Sequence, residues 1–249
     1  MAERGFVDLS DAGDSRENGV SDCRSSCTIR GFCEDHDNGY TDAQWVAAPK
    51  EKVVFDIEPF FPLEDMPWTG SVPLVSDRFK KFIEAEAPDH AQFFEAELVL
   101  PTKPIDPSDK KYMLPKAKRL YKKLYPNGFD PEVLRPMQPY YIVNWLHSVD
   151  CIDLERTFEL DRAGVLEEHL AEWNETYLNS YTYDDIDTGV MVLDVSRVPK
   201  DVMIFRLVHQ METVCIDSRL ARMMLDAGLT GAQFYSIGKD YPPDWPWGT

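Results

Sequence analysis

The stretch Val75-Ser76-Asp77-Arg78-Phe79-Lys80-Lys81-Phe82-Ile83, which runs on to Ala91-Gln92-Phe93-Phe94, has a counterpart near the other end of the chain. There Ile216-Asp217-Ser218-Arg219-Leu220-Ala221-Arg222-Met223-Met224 runs on to Ala232-Gln233-Phe234-Tyr235. Laid over each other without a gap, Val75–Phe94 and Ile216–Tyr235 share Arg78/Arg219 and the exit Ala-Gln-Phe, four identities in twenty positions. Phe79, Phe82 and Ile83 match Leu220, Met223 and Met224 at i, i+3, i+4, one stripe of a short amphipathic helix. The pattern predicts the same strand–helix–strand unit twice, placed pseudo-symmetrically within one sheet.

Local chemistry sharpens both copies. Ser76 or Asp77 can cap the first helix by accepting from its free N–H groups, and Pro88 stops that helix near Ala87. In the second copy Gly228 suits a left-handed helix end and Gly231 a turn. Between the copies, Tyr140-Tyr141-Ile142-Val143-Asn144-Trp145-Leu146 is a continuous apolar run, as in a strand buried on both faces. Strands are further expected at 53–57, 73–75, 91–100, 149–154, 190–194, 203–208, 213–216 and 232–237. Val198-Pro199-Lys200-Asp201 separates 190–194 and 203–208 like a hairpin connector. Helices are expected near 77–87, 116–125, 163–178 and 218–227. The fold class that follows is α+β, a mixed, mostly antiparallel sheet with short helices packed on it.

Residues 1–50 are rich in Asp, Ser, Gly and Asn, which predicts a flexible or loosely packed extension. Residues 51–249 are then a single domain, interrupted by a Lys/Pro-rich insertion at 101–139. In that insertion Ala117–Tyr125 fits a helix with Leu120, Tyr121 and Leu124 inward and Lys118, Lys122 and Lys123 outward. The proline-broken stretch from Pro59 to Gly70 reads as a folded loop lying across the core.

At 249 residues and 43% apolar the chain can build a substantial core. It has no apolar run of membrane-spanning length and its start is polar, so a soluble, cytoplasmic protein is expected. Formal net charge is -18, unevenly spread. Glu159 to Asp187 holds nine acids against Arg162, or -8, whereas Lys103 to Lys123 holds eight bases against two acids, or +6. Such acidity repels phosphate backbones and attracts cationic partners, which argues against direct nucleic-acid binding. The candidate partner-binding residues are Glu168, Glu172, Asp184, Asp185 and Asp187, chosen on charge clustering alone.

Catalytic and metal signals are weak. Cys23, Cys27, Cys33 and His36 cluster near the start, but Cys-x3-Cys-x5-Cys-x2-His fits no common zinc spacing, and reduced thiols are expected. The acids of Tyr183–Asp187 lack the ligand spacing of a calcium loop. His147 has no serine or cysteine nucleophile with a local signature beside it, and reads as a turn or core histidine. With no nucleophile elbow, phosphate-binding glycine loop or metal-ligand helix, no cofactor and no metal are expected.

Several phrases taken in order carry a family resemblance: Leu74-Val75-Ser76-Asp77-Arg78, Gln92-Phe93-Phe94, Val149-Asp150-Cys151-Ile152-Asp153, and Ile204-Phe205-Arg206 followed by Ala227-Gly228-Leu229-Thr230-Gly231-Ala232-Gln233-Phe234. From about residue 53 to residue 237 the chain resembles bacterial immunity protein family eleven of polymorphic toxin systems, formerly a domain of unknown function. The first 50 residues and the lysine-rich insertion are departures from the pattern. The resemblance implies an antitoxin made together with a toxin delivered by a contact-dependent or type VI-like secretion system. It would neutralise that toxin by tight binding and occlusion of its active site, with no chemistry of its own. A cationic toxin, such as a nuclease with a basic groove, would match the acidic surface. The competing readings are a non-catalytic scaffold module with another partner, and a hydrolytic enzyme.

Overall fold

The computed structural model describes residues 5–11, 27–30, 53–57, 63–67, 69, 72–108, 115–159 and 191–237. The chain divides into two compact units, one made of Ser10–Leu146 and Met224–Gln233, the other of Met1–Leu9, His147–Met223 and Phe234–Thr249. The fold is α+β, with mixed, mostly antiparallel sheets and few short helices.

The first unit is built on β6 (Tyr140–Trp145), the strand with the longest apolar run, five of whose six residues are buried. It is flanked by β4 (Leu74–Ser76) and β5 (Ala91–Val99), both antiparallel to it, with Leu74 and Phe94 each opposite Ile142. Beyond β5 come β3 (Val54–Ile57), parallel to β5, and β2 (Cys27–Arg30), antiparallel to β3. Because successive strand residues face opposite ways, the sheet offers two apolar faces. One carries Leu74, Ile142 and Phe94 into a core with Phe55, Ile105, Tyr121, Tyr125 and Leu134. The other meets α1 (Asp77–Glu86), which buries Phe79 and Ile83 and sets Lys80 Nζ 4.5 Å from the Tyr141 ring centre. Ser76 is the N-cap of α1, its Oγ accepting from Phe79 N at 3.1 Å.

The stretch expected as an insertion at 101–139 supplies part of this core. Its helix α2 (Pro115–Leu124) buries Tyr121 and exposes Lys118, Lys122 and Lys123. Tyr121, Tyr125 and Phe129 stack in sequence at 4.7 and 5.2 Å between ring centres. Lysines and prolines dominated the composition there, and the sparse aromatics decide the packing.

In the second unit β1 (Phe6–Asp11) lies between β9 (Gln210–Asp217) and β10 (Ala232–Ser236), with β8 (Ile204–Leu207) and β7 (Ser148–Val149) continuing the sheet beyond β9. Phe6, Val7 and Leu9 are buried, and the Phe6 ring meets Phe205 edge-on at 5.1 Å. Part of the segment expected to be loose is therefore a core strand. Its alternating Phe6-Val7-Asp8-Leu9 was outweighed by the polar composition around it. The helix α3 (Ser218–Asp226) follows β9 directly and buries Leu220, Ala221 and Met224, its last three residues belonging to the first unit.

Both aligned stretches are thus strand–helix–strand, β4-α1-β5 and β9-α3-β10, and each pair of strands flanks one inserted strand, β6 or β1. They lie in two different sheets, not in one as the pattern predicted. Two strand expectations also give way to aspartate caps. At 149–154 the ladder holds only Ser148–Val149, because Asp153 accepts from Arg156 N at 3.1 Å and opens a helical segment at 154–159. Of the described residues 191–194 only Leu193 bridges, to Ile152, because Asp194 accepts from Ser196 N at 3.1 Å and opens a 3-10 turn at Val195–Arg197. The expected 190–194/203–208 hairpin is replaced by β8-β9, turning at 208–209. The helix expected at 163–178 lies outside the described residues.

Asp8 sits opposite Cys215 in the middle of this sheet. Burial pushes its carboxyl up to about 6, against a lowering hydrogen bond from the Val214 backbone. A carboxyl with a raised folded-state pKa binds more protons folded than unfolded, so its charged form costs stability. The cost is absent below the unfolded value of 3.8, grows as pH rises through the interval up to about 6, and is complete above it. Asp8→Asn should therefore raise stability at pH 7 by on the order of 2 kcal/mol and leave it little changed near pH 4. Thermal unfolding of both proteins across that pH range checks this.

Candidate functional site

The most densely bonded polar cluster among the described residues centres on Asp65, which is 5% exposed and lies in the loop 63–67 before β4. Its Oδ1 accepts from Ser76 Oγ at 2.6 Å. Its Oδ2 accepts from Arg78 Nη1 at 3.1 Å, from Thr230 N at 3.1 Å and from Thr230 Oγ1 at 3.3 Å. The backbone joins in: Asp65 N donates to Thr230 Oγ1, Met66 N to Thr230 O, and Ser76 N to Asp65 O. Burying a carboxyl group costs its hydration, and donors in this number replace the hydrogen bonds that water would have made.

Arg78, the first shared residue of the two copies, does two jobs. Besides Asp65 it donates to the carbonyls of Gly228 and Ala227, which end α3. Helix-terminal carbonyls carry partial negative charge, so a guanidinium there satisfies both hydrogen bonding and the helix dipole. The turn can reach Arg78 because Gly228 has φ +66°. Gly231, at φ +84°, lies so close to the Met66 carbonyl that a Cβ would meet its oxygen at 2.2 Å. The phrase Ala227-Gly228-Leu229-Thr230-Gly231 is thus a docking turn for the Asp65 loop.

In the second copy the same helix position behaves differently. Asp217, the counterpart of Ser76, accepts from Arg219 N at 2.9 Å as the cap of α3. It also holds the Arg219 guanidinium with both oxygens, at 3.1 Å to Nε and 3.0 Å to Nη2. Asp217 is buried, whereas the Arg219 side chain is 75% exposed.

The five acids singled out in the sequence, Glu168, Glu172, Asp184, Asp185 and Asp187, lie outside the described residues. So do Cys23, Cys33 and His36, and of Cys27 only the strand β2 is described. Among the described residues no group of three or more His, Cys, Asp or Glu is placed to hold a metal ion, and no helix is long and apolar enough to cross a membrane. His147 is half-buried in the turn between β6 and β7, and its carbonyl accepts from Arg206 N at 2.8 Å. Cys151 and Cys215 are free and buried. Burial, helped by Asp150, pushes the Cys151 thiol up to about 12, and burial also raises Cys215, which leaves both poor nucleophiles.

Asp65 carried no local sequence signal, because its partners are 11 to 165 residues away. Asp217 was findable, since the gapless overlay sets it against the capping Ser76. Comparison with known proteins finds no family model that matches the chain and no curated relative.

Replacing Asp65 by Ala should cost about 3 kcal/mol or more, since it strands Ser76, Thr230 and the loop backbone together. Arg78→Ala should cost about 1–2 kcal/mol, because that side chain is already 48% exposed and water replaces part of what it loses. Urea denaturation should give the double variant a loss smaller than the sum of the two.

Proposed function

We propose that this chain is an immunity protein, an antitoxin that neutralises a cognate secreted bacterial toxin by binding it tightly and covering its active site. The observation that carries the reading is the ordered set of phrases from Leu74-Val75-Ser76-Asp77-Arg78 to Ala227-Gly228-Leu229-Thr230-Gly231 that resembles immunity protein family eleven. Those phrases coincide with fold-determining contacts: a helix cap, the Arg78 clamp and two glycine turns. A scaffold fixed by such contacts leaves the rest of the surface to carry the partner site, as suits a binding protein.

Charge supports the same reading. The segment Glu159–Asp187 carries -8, and a cationic toxin would be steered to it and oriented by it. Inhibition is then occlusion, with no bond made or broken by this chain. The protein acts in the bacterial cytoplasm, where it meets toxin arriving through a type VI-like route. A toxin encoded by the adjacent reading frame is the natural partner.

Two measurements test this. The product of the adjacent reading frame should be retained by the purified protein, and cells expressing that product should survive only when this chain is co-expressed. Reversing the charges of Glu168, Glu172, Asp184, Asp185 and Asp187 together should slow association by about tenfold to a hundredfold and flatten its salt dependence. An unchanged rate and salt slope would reject those five residues as the contact surface.

A further inference from the structure

The helices of the two copies share an outward pattern. Arg78, Lys81 and Phe82 on α1 align with Arg219, Arg222 and Met223 on α3. On α1 the arginine is engaged: it holds the Asp65 carboxylate and the two carbonyls that end α3. The copy within the first unit therefore displays what this helix position takes, namely a helix C-terminal turn with a carboxylate beside it.

On α3 the same position is set up and exposed. Asp217 grips Nε and Nη2 of Arg219 and is itself fixed as the helix cap, so the guanidinium is held in one orientation. Its Nη1 makes no hydrogen bond among the described residues, and its side chain is 75% exposed. One turn on, Met223 is 41% exposed although it belongs by sequence to the apolar stripe whose other members, Leu220 and Met224, are buried. An oriented arginine beside an exposed methionine has the composition of an interface anchor, and it loses little entropy on binding because the fold has already ordered it.

We propose that the Arg219–Met223 face of α3 is a protein-docking surface, and that it takes from a partner the element Arg78 takes within its own unit: a helix C-terminal turn flanked by an acidic side chain. This rests on the binding-protein reading above and names a contact that the acidic segment does not include. The helix-end carbonyls and the carboxylate supply negative charge to the guanidinium, and Met223 packs on the apolar side of that turn.

The test measures binding of the purified product of the adjacent reading frame to the wild-type full chain and to three variants. Arg219→Lys keeps a cation beside Asp217 but loses the two-pronged fork, and Met223→Glu alters only an exposed side chain. Lys118→Glu on α2 controls for general electrostatics. Arg219→Lys and Met223→Glu should each weaken binding by about tenfold or more. Lys118→Glu should stay within about twofold, and all three should melt within about 4 °C of wild type, as surface substitutions do. Wild-type binding with no loss in Arg219→Lys and Met223→Glu overturns the docking surface and leaves the immunity reading standing. An equal loss in Lys118→Glu overturns it as well. No binding by wild type overturns both.

Discussion

One carboxylate organises the first unit. Asp65 joins a loop, the start of α1 and the turn after α3, three segments far apart in sequence, and it does so while almost wholly removed from water. Such a group is stable only when every lone pair is addressed, which makes the cluster cooperative. The positions of Ser76, Arg78 and Thr230 and the need for glycine at 228 and 231 all follow from satisfying it. The short α1 then has a fixed start, and its Phe79 and Ile83 meet the sheet in one register.

The two copies share a pattern without sharing its use. Each strand–helix–strand encloses one inserted strand, yet the sheet extends beyond β5 in one copy and beyond β9 in the other. A serine caps one helix and an aspartate the other. The aspartate cap brings its own charge and so fixes its arginine at the surface, whereas the serine cap leaves its arginine to Asp65 and the helix end. A single exchange of capping residue thus decides where a guanidinium goes.

Several strands and helices were legible in the sequence: β5, β6, α1, α3 and β10 fall within a residue or two of expectation. What failed was governed by competition at single positions. Asp153 and Asp194 can accept from backbone N–H groups two or three residues on, and that local bond defeats an apolar alternation only four to six residues long. β1 was hidden for the opposite reason. Its apolar alternation is four residues within a polar segment, and only pairing with β9, some two hundred residues later, gives it a core to enter. The Asp65 cluster was illegible because nothing near Asp65 in the chain reveals Thr230.

The same long-range pairings govern how the chain matures as it leaves the ribosome. β1 emerges some two hundred residues before its neighbours β9 and β10, and the Asp65 loop waits for Thr230. Translation proceeds at about 5–20 residues per second, so these early segments spend on the order of ten seconds or more without their partners. Closure of both units waits for residues 217–230, and a nascent chain stalled before residue 217 holds an orphan strand with Phe6, Val7 and Leu9 uncovered. An apolar strand left unpaired for that long is the kind of surface that chaperones shield during synthesis.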